Sequence, residues 1–125
     1  MSFGLSRFQI KRVYEDSHES DGTRVLVDRL WPRGVSKADA DLDEWRKDVA
    51  PSNELRKWFA HDPEKFSEFA RLYREELSES GAGKKFVEDH KSDLLVTLLY
   101  AAKDARCNHA CVLKDELEQL SSEKP

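Results

Sequence analysis

The chain of 125 residues has only two cysteines, four prolines and five glycines, no long hydrophobic run and no dominant charge. Each shortage excludes a class of protein. Cys107 and Cys111 stand four positions apart within one expected helix, so there is no disulfide framework of the kind that staples small secreted domains. The longest apolar run, Leu94 to Ala102, contains Thr97 and falls far short of the ~18 residues needed to span a bilayer. Lys plus Arg number 21 against 25 Asp plus Glu, a formal charge of -4, which gives no overall attraction to nucleic acid or to an anionic membrane. Glycine-rich phosphate loops, nucleophile elbows and HExxH strings are absent. The opening MSFGLSRFQI carries neither a signal-peptide pattern nor a glycine directly after the initiator Met. The expectation is a cytoplasmic protein without a membrane partner.

What is present points to a folded, densely charged unit. Apolar residues make up 38% and charged residues 37%, and aromatics at 10% are too many for a disordered tail. The length suits a single domain over 1–125, with an ordered core over about 8–120 and a frayed tail at 121–125. Phe8 to Val13 alternates as a strand, with Phe8 and Ile10 inward. Glu15 to Gly22 is polar and turn-rich and reads as a surface loop. Val25 to Val27 is a short unbroken aliphatic run, the pattern of a strand covered on both faces, and Leu94 to Ala102 reads as a second buried strand.

Helices are signalled by their ends. Ser36 and Ser52 are N-caps, and Asp62 before Pro63 opens the clearest helix, whose stripe is Phe66, Phe69, Ala70, Tyr73 and Leu77. Gly81 and Gly83 are expected to end it, and a short helix follows around Lys84 to His90. Between Ala38 and Val49 the spacing fits either a helical face or a strand. A final helix carries Ala110, Leu113, Leu117 and Leu120. Core strands separated by helices predict an α/β fold: a small, mainly parallel sheet flanked by helices. In such sheets ligands bind beyond the carboxyl ends of the strands.

Two charged segments occupy that position. In RVLVDRLWPRG, Asp28, Arg29, Trp31 and Arg33 follow a buried strand, with Lys37 shortly after. Guanidiniums suit carboxylate or phosphate oxygens and stack on aromatic rings, so Arg29, Arg33 and Lys37 with Trp31 read as an anion-binding loop. The plainer reading is a structural ion-pair network. Asp28 is costly at a strand end unless paired, and fits either a general base or an orienter of the guanidiniums. After the other strand come Lys103, which can hold an anion, and Asp104, which can cap the last helix. His61 has the titration range of an acid–base group, although it sits in an interhelical linker.

Cys107, His109 and Cys111 form C-x-H-x-C, but positions i and i+2 diverge on a helix and no further ligands complete a zinc set. No metal and no cofactor are expected. A Cys107 thiol near a helix start remains open to redox chemistry.

The strings RVLVDRLWPRGVSK, LDEWRKDVAPSNELRKWFAHDP and LLYAAKDARCNHACVL resemble the YeaO-like family of small bacterial proteins, part of a larger group built on a domain of unknown function. The resemblance runs from about Ile10 to Leu117. It implies a compact α/β domain with no established activity, substrate or cofactor. Its pattern takes in Asp28, Arg29, Trp31, Arg33, His61, Lys103, Asp104 and Asn108, the last of which joins the anion-binding set. Cys107 and Cys111 fall outside that pattern.

The combined reading is an anion pocket of Arg29, Arg33 and Lys103, with Trp31 as a wall and Asp28, His61 and Asp104 as acid–base candidates. An enzyme acting on a phosphorylated or carboxylated small molecule would use it electrostatically. The alternative is a non-catalytic binding or regulatory module that touches nucleic acid through the same loop. Both require the two aliphatic strands to finish side by side.

Overall fold

The computed structural model describes residues 7–106 and 108–122. Its strands are β1 (Phe8–Arg12), β2 (Thr23–Leu26), β3 (Glu44–Trp45) and β4 (Val96–Tyr100). Its helices are α1 (Lys37–Ala40), α2 (Asn53–Phe59), α3 (Phe66–Ser80), α4 (Ala82–Asp89) and α5 (His109–Ser122). The strands form one sheet in the order β1-β4-β2-β3, and every neighbouring pair is parallel. This is the small parallel α/β layer that the alternation of strand and helix signals predicts.

β2 and β4 are adjacent, with Val25 opposite Leu98 and Leu26 opposite Leu99, so the two aliphatic runs do finish side by side. Period-two alternation then divides their side chains. Val25, Val27, Val96, Leu98 and Tyr100 join the larger core, under Tyr73, Phe86, Leu113 and Leu117 of α3, α4 and α5. Leu26 and Leu99 point to the other face, where Val13 and Ala40 meet Trp31, Val35, Leu42 and Trp45. Both faces are covered over residues 25–27 and Val96–Tyr100, which is why these segments read as apolar runs, whereas Leu94 at the head of the expected second strand lies before β4 and is 95% exposed. Among the described residues no helix is long and apolar enough to cross a membrane.

The helix ends follow local chemistry. Ser52 Oγ accepts from the Leu55 amide at 3.1 Å and donates to Glu76 Oε2 at 2.6 Å, so the cap of α2 is tied to α3. Asp62 accepts from the Glu64 amide at 3.0 Å, but it opens a single 3-10 turn, Pro63–Lys65, that leads into α3. Gly81 ends α3 in a left-handed conformation. Gly83 does not: it lies inside α4, where a Cβ would come 2.9 Å from Leu120 Cδ1. The ambiguous 38–49 segment contains the end of α1, the two-residue strand β3 and a 3-10 turn. α5 runs through Ser122, so the first two residues of the expected frayed tail are helical, and the remainder lies outside the described residues.

Gly22 shows how tightly the chain approaches β4. Its φ is 67°, and an added Cβ would stand 2.5 Å from the Leu95 carbonyl oxygen. Gly22→Ala is therefore expected to destabilise by about 1–3 kcal/mol through backbone strain alone, with the clash adding to it. A lower urea midpoint at unchanged slope would verify this.

The loop expected at the surface carries a buried charge. Asp21 and Arg24 are each only 3% exposed and form an ion pair. Arg24 also donates to the Ala40 carbonyl at 2.8 Å and to the Asp41 carbonyl at 2.9 Å, and Lys11 reaches Asp21 at 3.0 Å. His90 is likewise buried, with its ring nitrogens 2.7 Å from Glu44 Oε1 and from Asp93 Oδ2, so it links the edge strand β3 to the turn before β4.

Candidate functional site

Beyond the carboxyl ends of β2 and β4 lies a cavity of about 410 Å³. Asp28 forms its inner corner. Its Oδ2 accepts from the Ala101 amide at 3.0 Å, while its main-chain carbonyl accepts from Trp45 Nε1 at 2.7 Å. Among the described residues Oδ1 has no hydrogen-bond partner. His109 Nε2 lies 3.1 Å from that oxygen and also 3.1 Å from the Val27 carbonyl, and the ring is aligned to donate to the carbonyl. Edge-on to His109, at 6.1 Å, is the Tyr73 ring. Burial, with the charge of Asp28 adding to it, pushes the Tyr73 hydroxyl well above its ordinary range, and that hydroxyl donates to the Val49 carbonyl.

Three cations from three segments line the same cavity: Arg29 after β2, Arg56 on α2 and Lys103 after β4. Arg29 does not pair with Asp28. Its Nε donates to the Pro51 carbonyl at 3.1 Å, and Nη2 lies 3.5 Å from the Ala50 carbonyl. Arg56 donates from Nη2 to Asn53 at 3.2 Å, while its buried Nε has no hydrogen-bond partner among the described residues. Phe59 and Phe69, stacked at 4.2 Å and 18°, supply an apolar wall. His61 stands exposed at the mouth, and it and Ala60 both adopt positive φ, at 58° and 47°.

Of the residues expected at the site, Asp28, Arg29, His61, Lys103 and Asn108 line the cavity. Trp31, Arg33, Lys37 and Asp104 do not. Trp31 donates to the Val35 carbonyl at 2.7 Å and packs edge-on against Trp45 on the opposite face of the sheet. Arg33 is exposed beside the buried Pro32, with its carbonyl accepting from Tyr14, and the exposed Lys37 begins α1. The reason is geometric: after Arg29 the chain crosses to the other face of the sheet, carrying the rest of the WPRG string away. Asp104 does not cap α5; it accepts from the Arg106 amide at 2.8 Å. The α5 cap is Asn108, whose Oδ1 accepts from the Cys111 amide at 3.0 Å while Nδ2 donates to the Asp104 carbonyl at 2.8 Å.

Arg56, Phe59, Phe69 and His109 were missed as cavity residues. Arg56 and Phe59 are three apart on α2, a spacing that puts them on one face, but nothing local says which face meets a cavity. Cys107 lies outside the described residues, and with it the thiol and C-x-H-x-C readings. Among the described residues no group of three or more His, Cys, Asp or Glu could hold a metal ion.

These features define a small parallel α/β protein with a cation-lined cleft at the carboxyl edge of its sheet. The chain belongs to the DUF488 family, as a YeaO-like member: the family model described as the inactive DUF488-N3 subclade matches residues 7–125. It is 46% identical over 112 residues to the uncharacterized protein YeaO of Escherichia coli (strain K12), covering 90% of this chain and 97% of that one. It is 47% identical over 110 residues to the uncharacterized proteins Rv3073c of Mycobacterium tuberculosis (strain ATCC 25618 / H37Rv) and Mb3100c of Mycobacterium bovis (strain ATCC BAA-935 / AF2122/97), covering 86% of this chain and 91% of each. No solved structure matches it.

Proposed function

We propose that this protein is a non-catalytic receptor for a small organic anion, held in the cleft by Arg29, Arg56 and Lys103 against the Phe59–Phe69 wall. The single observation that carries the reading is the arrival of three cations from separate segments at one largely apolar cavity with a single carboxylate, Asp28, that pairs with none of them. A cavity of about 410 Å³ lies within the range of small-molecule sites, which combine apolar walls with a few placed polar groups. Guanidiniums whose hydrogen bonds go to carbonyls keep their charge available for an incoming acid.

Two observations favour binding over turnover. The matched subclade is described as inactive. Three groups suited to proton transfer are also held by the protein's own main chain: Tyr73 on Val49, His109 on Val27, and one oxygen of Asp28 on Ala101, which leaves His61 at the cavity edge and the second Asp28 oxygen facing a ligand. The nucleic-acid alternative rests on the basic loop as a whole, whereas Arg33 and Lys37 do not line the cavity with Arg29 and Lys103.

Calorimetric titration with aromatic carboxylates and phosphate monoesters tests the reading. Arg56→Gln is expected to weaken the best ligand about 10–100-fold, the value of a hydrogen bond to a charged group. Raising salt should weaken it only modestly, whereas a phosphate-backbone binder would lose about 10³-fold or more. Heats indistinguishable from dilution across the whole panel would remove the proposal.

A further inference from the structure

We infer that the ligand of this cleft is an acid with an apolar body that also carries a hydrogen-bond donor, an O–H or N–H group, which Asp28 Oδ1 accepts. The inference rests on the anion-receptor reading above and adds a second recognition element to it. Among the described residues, three buried side-chain polar atoms have no hydrogen-bond partner: Arg7 Nη2, Asp28 Oδ1 and Arg56 Nε. Arg56 and Asp28 both line the one cavity. Their unpartnered atoms are opposite in kind, since a guanidinium nitrogen can only donate and a carboxylate oxygen can only accept.

Buried polar atoms are almost always satisfied, so an orphan donor and an orphan acceptor at one cavity describe the polarity of its guest. His109 Nε2 stands 3.1 Å from Asp28 Oδ1 and 3.1 Å from the Val27 carbonyl, and hydrogen-bond geometry is met towards Val27. Asp28 cannot turn away to find another partner. The Ala101 amide holds its other oxygen, and Trp45 holds its main chain. Arg56 is anchored through Asn53, so its Nε keeps a defined place on α2. Leu30, Phe59, Phe69 and Ala102 contribute the apolar surface of the same cavity. The guest is therefore bipolar: an acid group on Arg56 with Arg29 and Lys103, a donor on Asp28, and an apolar group on the phenylalanine wall.

Hydroxy acids and amino acids share this chemistry, and three molecules of one shape separate them: 3-phenyllactate, phenylalanine and the donor-free 3-phenylpropionate. Calorimetric titration of the full chain is expected to show at least one donor-bearing member binding tenfold or more tighter than 3-phenylpropionate. In Asp28→Asn, with a melting curve confirming the fold, that ratio should collapse towards one. In Arg56→Gln all three should weaken together. If 3-phenylpropionate binds as tightly as both others in the wild type, the donor inference fails while the anion receptor stands. If none of the three binds, the inference falls; if phosphate monoesters and other aromatic acids are refused too, the receptor reading falls with it. The wild-type ratio decides even where Asp28→Asn does not fold.

Discussion

Arg24→Ala is expected to destabilise the protein by about 3–5 kcal/mol, the usual loss when one partner of a buried ion pair is removed. Asp21 would keep Lys11 and the His18 amide, but the Ala40 and Asp41 carbonyls would lose their donors beside it. Against a total stability of roughly 5–15 kcal/mol for a natural domain, that is a large share. The loss should also depend on pH. Burial raises the Asp21 carboxyl, but the His18 amide, Lys11 and Arg24 together outweigh it and hold the group below its ordinary value of 3.8. A lowered folded-state value means that this stabilisation is complete above the ordinary carboxylate range and is lost as pH falls through the lowered value. Without Arg24 the value climbs back towards 3.8, so the gap between wild type and variant should stay constant near neutrality and narrow below about pH 4. Urea titrations across that range would show it. A gap that widened in acid would contradict the assignment.

The second large effect is expected at the cleft wall. Phe69 is almost wholly buried, stacked on Phe59 and 5.7 Å from the Tyr73 ring. Phe69→Ala should destabilise by about 3–5 kcal/mol, combining lost transfer energy with the hole left behind. Phe69→Leu, which keeps most of the volume, should recover more than half of that. Because Phe69 lines the cavity, the alanine variant should also lose affinity for aromatic acids while weakening less towards a phosphate ion, which needs only the cations. Stability and affinity measured on the two variants would test both effects. Equal losses for aromatic and inorganic anions would show that the wall does not meet the ligand.

Which parts of this arrangement were legible in advance follows from how local their causes are. β4 could be read because its five residues are all buried and apolar or, as with Thr97, small. The ends of α2 and α3 could be read because Ser52 and Gly81 act through their own neighbours. Asp28, Arg29 and Lys103 were recoverable because a parallel sheet delivers whatever trails its central strands to one edge. Trp31 and Arg33 were misplaced because the path after Arg29, across to the other face, is set by where Trp31 finds Trp45 and Val35. Arg56 was overlooked for the same kind of reason. In ELRKWF it looks like any solvated helical arginine, and the burial of its Nε comes from tertiary packing that no local pattern announces.

The bond from the Ala101 amide to Asp28 has a consequence for evolution of the cleft. The last main-chain link between the two central strands runs from the Val27 amide to the Leu99 carbonyl, and the next rung is made by a side chain instead. A carboxylate thus ends the zipper of the sheet, and the strands part at the depth it dictates. Drift at position 28 would change the seam and the recess together, so new ligand preferences should arise more readily on α2 and the loop after β4.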